Sequence, residues 1–158
     1  MDRSRLNRFL SQQLDELQLE KPVFVAPTDP VRKALSLMHE GSRSCVLATE
    51  AGSLTGIFTE RDVLTRCMEE GFNWEQPLDQ AVLTRQPRTV SAKATVADAI
   101  ATMRQHHYRT LPVEGHDGRI IGLVRIGDLL THLAEAFPED VLNLPPRPHQ
   151  VMEKPEGG

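Results

Sequence analysis

The sequence has few of the features that mark a metal site, a membrane span or an exported chain. Its 158 residues include only two cysteines, Cys45 and Cys67, with no CxxC motif and no histidine at ligand spacing. Both are expected to be buried apolar side chains rather than a disulfide or metal ligands. No apolar run approaches the ~18 residues that a transmembrane helix needs, and residues 1–10 lack the apolar core of a signal peptide. These absences predict a soluble, cytoplasmic protein with no membrane partner.

The charge balance and the motif content exclude further classes of protein. A net charge of −4 and a pI near 5.9 argue against a nucleic-acid partner, because nucleic-acid binders normally present a basic face. No nucleophile–base constellation, glycine-rich phosphate loop or pair of carboxylates in one cleft is apparent. The sequence therefore predicts a protein that is not an enzyme and requires neither a cofactor nor a metal.

The main feature of the sequence is an internal repeat, in which residues 22–65 reappear at 87–131. The two copies are first offset by 65 positions, as in the pairs Pro22–Pro87, Val25–Val90 and Met38–Met103. After one inserted residue the offset is 66, as in the pairs Gly56–Gly122 and Asp62–Asp128. Two copies are too few for a solenoid. They predict two similar halves that pack face to face, with binding sites in the clefts between them.

Hydrophobic periodicity gives each copy the order β-α-β-β-α and therefore predicts an α+β fold. An amphipathic helix is expected at 1–20, the first repeat at 21–71, a connector at 72–86 and the second repeat at 87–137. Thr28-Asp29-Pro30 is predicted to start one helix, with Thr or Asp as its cap, and Thr95 with Asp98 forms a potential capping box. Gly71 is expected to stop the last helix of the first repeat. The proline-rich residues 138–158 predict an extended or disordered tail.

Two motifs carry a family resemblance. The order of elements, with GIFTERD at 56–62 and YRTLPV…IIGLVRIGD at 108–128, resembles a tandem pair of CBS (cystathionine-β-synthase) domains, a Bateman module, of the stand-alone bacterial type. The resemblance covers about residues 14–135. It implies regulatory binding of an adenine nucleotide such as AMP, ADP, ATP, NAD(H) or S-adenosylmethionine, with no reaction performed on it. It also implies a homodimer and a protein partner that the sequence does not identify.

The resemblance also implies a set of binding residues. In G-x-x-T-x-x-D the threonine would contact ribose or phosphate and the aspartate the ribose hydroxyls, which singles out Thr59 and Asp62. Asp128 is the matching aspartate of the second repeat. Arg109 stands where related modules often place a basic residue that contacts phosphate, and Ser44 is its counterpart. The apolar lining for adenine is expected from Val25, Val90, Leu111 and Pro112.

Several of these assignments have a second interpretation. Thr59 with Asp62 is also close to a capping box, which needs no ligand, although a helix start favours an anion. Arg125 replaces the threonine in the second repeat; it would either bind phosphate as a bidentate donor or pair with Asp128 or Glu114 and fill the cleft. Arg109 could equally be a solvated or dimer-edge arginine. The second cleft, with two arginines, is expected to suit a multiply phosphorylated ligand, and the first a nucleoside or monophosphate.

Three functional hypotheses follow. The first is a nucleotide-binding regulatory module. The second is a structural or protein-interaction CBS module without a ligand, in which the N-terminal helix and the tail contact partners. Nucleic-acid binding, the third, is disfavoured by the acidic balance and would require a strongly salt-dependent affinity.

Overall fold

The computed structural model describes residues 3–137 and confirms the predicted order of elements in both repeats. Helix α1 (Arg3–Ser11) and a 3₁₀ turn (Leu14–Glu16) come first. The first repeat then contains β1 (Phe24–Val25), α2 (Val31–Glu40), β2 (Cys45–Glu50), β3 (Ser53–Thr59) and α3 (Glu60–Arg66). The connector holds α4 (Leu78–Ala81) and β4 (Thr84–Arg85). The second repeat contains β5 (Val90–Ser91), α5 (Val96–His106), β6 (Thr110–Glu114), β7 (Ile120–Arg125) and α6 (Ile126–Ala136).

The strands form two sheets, with the orders β1-β2-β3-β4 and β5-β6-β7. In each, a short first strand runs parallel to the next one, and the following two strands form an antiparallel hairpin. The first hairpin turns at Ala51 and Gly52, with φ of 49° and 80°, a left-handed conformation that suits a tight hairpin. Cys45, Leu47 and Ile57 of the first sheet form a buried cluster with Leu123 of the second. The two halves are thus packed face to face, as expected.

Each repeat is completed by the segment that precedes the other repeat. Leu14 is fully buried in the hydrophobic core of the second repeat, and Leu78 is fully buried in that of the first. Burial of a leucine side chain contributes about 1.5–3 kcal/mol, so both leading segments are integral to the fold. Residue 20 also pairs with β7, since Glu20 and Leu123 exchange backbone hydrogen bonds of 3.1 and 2.9 Å.

The pairing of this segment with the second repeat corrects the prediction of one amphipathic helix across residues 1–20. Helix α1 ends at Ser11, because the N–H groups of Leu14 and Asp15 donate to the carbonyls of Ala94 and Ala92 in the second repeat, at 2.9 and 3.0 Å. A continuous helix would direct those N–H groups to carbonyls four residues earlier in the same segment.

Two further boundaries differ from the sequence-based expectation. Helix α2 starts at Val31 with Pro30 as its N-cap residue, and Asp29 instead accepts a hydrogen bond from the backbone N–H of Ala26 at 2.8 Å. Helix α3 ends at Arg66, well before Gly71. The capping box of Thr95 and Asp98 on α5 is confirmed, with both reciprocal hydrogen bonds present.

Apolar spacing also predicts a buried stripe on α2 and α5, formed by Val31, Ala34, Leu35 and Met38 and their counterparts Val96, Ala99, Ile100 and Met103. All are buried except Leu35 and Ile100, which are half-buried. Of the apolar residues in and just after α3, Leu64 and Met68 are 71% and 65% exposed. The inward side of this region is instead formed by Asp62 and Cys67, and Cys67 and Cys45 are both buried free thiols.

Between residues 3 and 137, none of the helices is long and apolar enough to cross a bilayer. The expectation of an extended tail at 138–158 lies outside the described residues.

Candidate functional site

The junction between β3 and α3 places Thr59 and Asp62 in a closed hydrogen-bonded unit. Thr59 Oγ1 accepts from the backbone N–H of Asp62 at 3.3 Å, and Asp62 Oδ2 accepts from the Thr59 N–H at 2.8 Å. Oδ2 also accepts from the Thr59 hydroxyl at 2.9 Å. The capping-box interpretation of this motif is therefore confirmed.

The capping box still leaves one carboxylate oxygen of Asp62 able to accept from a ligand. Among residues 3–137, the one charged group beside Oδ1 is the guanidinium of Arg66, 3.7 Å away, and Arg66 also donates to the Val82 carbonyl at 2.9 Å. Asp62 is 7% exposed and is the only buried charged residue within residues 3–137. A buried carboxylate lowers stability unless it is paired or hydrogen-bonded. Because Asp62 lines a cavity, this junction is a candidate binding site.

The cavity in question has a volume of about 700 Å³ and lies between the two repeats. The first repeat contributes Ser44, Ile57 and the start of α3, and the connector contributes Thr84. The remaining wall comes from residues just before and in the second repeat, namely Pro87, Arg88, His107, Tyr108, Arg109, Thr110 and Pro112. Ligand pockets in proteins commonly measure 300–1,000 Å³, so a nucleotide-sized molecule fits this volume.

The charges around the cavity are unevenly paired. Arg61, Arg88 and Arg109 all line it, and within the described part of the chain none of their guanidinium groups has a hydrogen-bond or ion-pair partner. Ser44 Oγ is buried and, within the same residues, also has no hydrogen-bond partner. Unpaired arginines and a buried hydroxyl without a partner are groups that an anionic, hydroxyl-bearing ligand would satisfy.

The helix start itself offers little to an anion. The Glu60 N–H donates to the Ser44 carbonyl at 3.0 Å, and the Asp62 N–H is taken by Thr59. The phosphate contact that the sequence analysis assigned to this helix start therefore has few free N–H groups, and the arginine side chains are the available donors.

The corresponding junction of the second repeat is arranged differently. Arg125 donates through Nε and an Nη atom to both carboxylate oxygens of Asp128, each at 2.9 Å. Its Nε also lies 2.7 Å from Glu20 Oε2; because the Nε proton points to Asp128, this second contact is ionic rather than a hydrogen bond. The hydrogen bonds to Asp128 are the largest cause of a raised pKa for Arg125. Of the two partners expected for Arg125, Asp128 is correct, whereas Glu114 accepts from Thr89 at 3.0 Å instead.

The structure brings together five of the sequence-predicted site residues and separates the others. The five that line the cavity are Ser44, Thr59, Asp62, Arg109 and Pro112. Arg109, expected beside Arg125 in a second cleft, thus shares the cavity with the residues of the first repeat. Arg125 and Asp128 pair with each other, and three apolar residues lie within the hydrophobic cores, namely Val25, Val90 and Leu111.

Several cavity residues were not predicted from the sequence, among them Thr84, Arg88 and Tyr108. Thr84 lies in the connector and Arg88 just after it, and the position of this segment depends on the pairing of β4 with β3, which periodicity does not show. Tyr108, the only tyrosine, follows the αL residue His107 and stacks on His106 at 5.6 Å between ring centroids. Its position next to Arg109 was the one available signal.

The lining carries hydroxyl, carboxylate and guanidinium groups. The serine hydroxyl of the lining, Ser44 Oγ, has no base hydrogen-bonded to it among the described residues. Residues 3–137 also contain no group of three histidine, cysteine or acidic side chains that could hold a metal ion. A carboxylate acceptor and three arginine donors in one cavity are suited to holding an anionic ligand that also carries hydroxyl groups.

Comparison with known proteins agrees with this architecture. The family model of the CBS domain matches residues 14–69 and 80–135. A CBS domain-containing protein of Arabidopsis thaliana is 30% identical over 120 residues, which is 76% of this chain but only 21% of that protein. This chain therefore spans about a fifth of that relative's length.

Solved structures give the same result. The structure of a CBS-domain containing protein from Agrobacterium tumefaciens superposes with a TM-score of 0.67 at 27% identity, covering 79% of this chain and 98% of that one. A CBS domain protein from Pyrobaculum aerophilum, complexed with AMP, superposes with a TM-score of 0.68 at 22% identity, covering 78% and 99%. The chain belongs to the CBS domain family and carries two CBS domains in tandem.

Proposed function

We propose that this chain is a non-catalytic regulatory module that binds an adenine nucleotide in the cavity between its two CBS domains. One observation carries the proposal: the buried carboxylate of Asp62 lies in the same cavity as Arg61, Arg88 and Arg109, whose guanidinium groups have no partner among residues 3–137. A nucleotide carries hydroxyl donors on its ribose and anionic phosphates on the adjoining C5′ oxygen. This cavity offers the complementary acceptor and cations.

Each group of cavity residues is proposed to contact a different part of the nucleotide. Asp62 Oδ1 accepts from the ribose hydroxyls, as acidic residues do in dinucleotide-binding folds. The arginines bind the phosphates through charge-assisted hydrogen bonds, which are about twice as strong as neutral ones. Ile57 and Pro112 supply apolar surface for the base. Three cations in one cavity favour a di- or triphosphate over the nucleoside or monophosphate that the sequence suggested for this site.

The AMP complex of the Pyrobaculum aerophilum protein supports this assignment, because that protein shares the fold. The adenine class as a whole, including NAD(H) and S-adenosylmethionine, remains within the proposal. The protein performs no reaction on its ligand.

Signalling is proposed to occur through a cytoplasmic homodimer. Leu64 on α3 and Leu130 on α6 occupy matching positions of the two repeats and are 71% and 58% exposed. Exposed leucines on two helices are a natural contact surface for a second copy of the chain. A bound nucleotide would shift the dimer geometry seen by a protein partner by as much as its affinity differs between the two arrangements.

The test compares two aspartates that make the same capping box. Asp62 and Asp98 each accept from the N-cap threonine and close a helix start, but only Asp62 lies in the cavity. Calorimetric titration with AMP, ADP, ATP, NADH and S-adenosylmethionine, with GTP as the non-adenine control, measures affinity. Asp62→Ala should weaken the adenine ligand that binds by roughly 10- to 100-fold, the loss of a hydrogen bond to a charged group. Asp98→Ala should leave its affinity unchanged.

Equal affinity for the two variants would disprove the site. If no adenine ligand binds the folded wild-type protein, the ligand-free interaction module becomes the better description.

A further inference from the structure

The two clefts of the molecule can be compared position by position. Leu83 packs against Gly56, and Leu19 packs in the same way against Gly122. The residues that follow these leucines, Thr84 and Glu20, pair with matching residues of β3 and β7, namely Ile57 and Leu123. Glu20 therefore occupies, in the second cleft, the position that Thr84 occupies in the ligand cavity.

The other walls of the cavity correspond in the same way. The offsets of the repeat match Thr59 with Arg125 and Asp62 with Asp128. The cavity wall that comes from the second repeat corresponds, in the second cleft, to residues of the first repeat. Tyr108 then matches Arg43, and Thr110 matches Cys45. Three uncharged cavity positions are thus charged in the second cleft: Glu20, Arg43 and Arg125.

These charged residues form a continuous chain of ion pairs across the second cleft. Arg43 donates to Glu20 Oε1 at 2.6 Å, Glu20 Oε2 lies 2.7 Å from Arg125 Nε, and Arg125 holds both oxygens of Asp128. The Glu20 side chain is only 11% exposed. Two cations and two anions alternate, so the chain is neutral, and every carboxylate faces an arginine.

This arrangement engages the groups that a nucleotide would use. Both oxygens of Asp128 are hydrogen-bonded to Arg125, so a ribose hydroxyl would share each acceptor with the guanidinium, whereas Asp62 Oδ1 has no hydrogen bond among residues 3–137. A phosphate entering the second cleft would meet Glu20, and the two arginines there are already neutralised. Breaking a partly buried pair by removing one partner is costly, so the ligand would have to replace the whole network.

We infer that Glu20, with Arg43 and Arg125, closes the second cleft, so that each chain binds one nucleotide, in the cavity of Asp62. Glu20 belongs to the segment that precedes the first repeat. This segment thereby blocks a potential second binding site. The inference rests on the proposed function for its count of one ligand per chain, but the closure itself is independent of any ligand.

The first test is the stoichiometry of nucleotide binding by the full chain. Titration with AMP, ADP and ATP should give one site per wild-type chain. Glu20→Thr combined with Arg125→Thr restores the cavity residues to the second cleft, and this double variant should bind two. Two sites in the wild type, or one site in a folded double variant, would overturn the inference.

If the wild type binds none of these nucleotides and neither NADH nor S-adenosylmethionine, the proposed function fails. The closure of the second cleft is then decided without a ligand, by the reactivity of Cys45.

A second test uses no nucleotide. Cys45 is 2% exposed, and Glu20, Arg125 and Arg43 all act electrostatically on its thiol, which places it beside the network. Alkylation by iodoacetamide, followed at each cysteine by peptide mass spectrometry, should be about tenfold faster at Cys45 in the double variant than in the wild type. Cys67 is 1% exposed and lies in the hydrophobic core of the first repeat, so it is the internal control for unfolding. An unchanged rate at Cys45, or equal acceleration at both cysteines, would contradict the closure.

Discussion

Adding one methyl group at Gly56 is expected to destabilise the fold by about 1–3 kcal/mol, the usual cost of overpacking a well-filled site. A Cβ atom there would lie 2.4 Å from Leu83 Cγ and 2.5 and 2.8 Å from its two methyl carbons. Leu83 cannot easily move away, because the next residues form β4, which pairs with β3 at Gly56 and Ile57. The contact therefore reports directly on the exchange of leading segments between the repeats.

Urea denaturation followed by circular dichroism measures the free energy of unfolding for Gly56→Ala. For a domain of this size, each kcal/mol corresponds to roughly 2–4 °C in Tm. Gly127→Ala is the matched control: a Cβ at Gly127 meets nothing within 4 Å, and the residue lies in helix α6. Alanine there should be neutral or stabilise by up to about 1 kcal/mol.

The identity of the clashing partner is tested by a double-mutant cycle. If Leu83 is responsible, Gly56→Ala should cost at least about 1 kcal/mol less in a Leu83→Ala background than in the wild type. An equal cost in both backgrounds would refute this explanation. Wild-type stability of Gly56→Ala would show that the connector does not lie against β3.

Two other predictions concern the β3–α3 junction and the buried thiol. Thr59→Ala should lower the free energy of unfolding by about 1 kcal/mol through loss of the cap, whereas Thr59→Ser should retain it; equal losses in a denaturation series would contradict the capping role. Burial, followed by the charge of Glu20, raises the pKa of Cys45 to about 11 from 9.0. Because the unfolded thiol loses its proton first, stability should fall as pH rises from about 9 to 11. Cys45→Ala should reduce that slope, and an unchanged slope would contradict the assignment.

The internal repeat made much of the fold predictable. Periodicity and turn glycines gave the order of elements in each copy, and the matching stripes of α2 and α5 are buried as expected. These features are local, since a helix face or a hairpin turn depends on residues close in sequence. The same locality explains why the Thr59–Asp62 motif was correctly identified as a potential capping box.

The positions of the leading segments were not predictable in this way. The spacing of Leu6, Phe9 and Leu10 is helical, and that of Leu14 and Leu17 continues it, yet the backbone at Leu14 pairs with the second repeat. Non-local hydrogen bonds override helical periodicity here, and periodicity contains no information about them. For the same reason Glu20 could not be recognised as a partner of Arg125, and Arg109 was assigned to the wrong cleft.

The two junctions show that a retained aspartate can have different roles in two copies of one repeat. In the first copy Asp62 is held by Thr59 through one oxygen, its other oxygen has no hydrogen bond among the described residues, and the residue lines the cavity. In the second copy Arg125 cannot cap α6, whose N-cap makes no side-chain hydrogen bond, and it uses both oxygens of Asp128 instead. An aspartate alone is thus weak evidence for a ligand site. The residue three positions earlier decides how free the carboxylate is, because a threonine bonds to one oxygen and an arginine neutralises the charge and bonds to both.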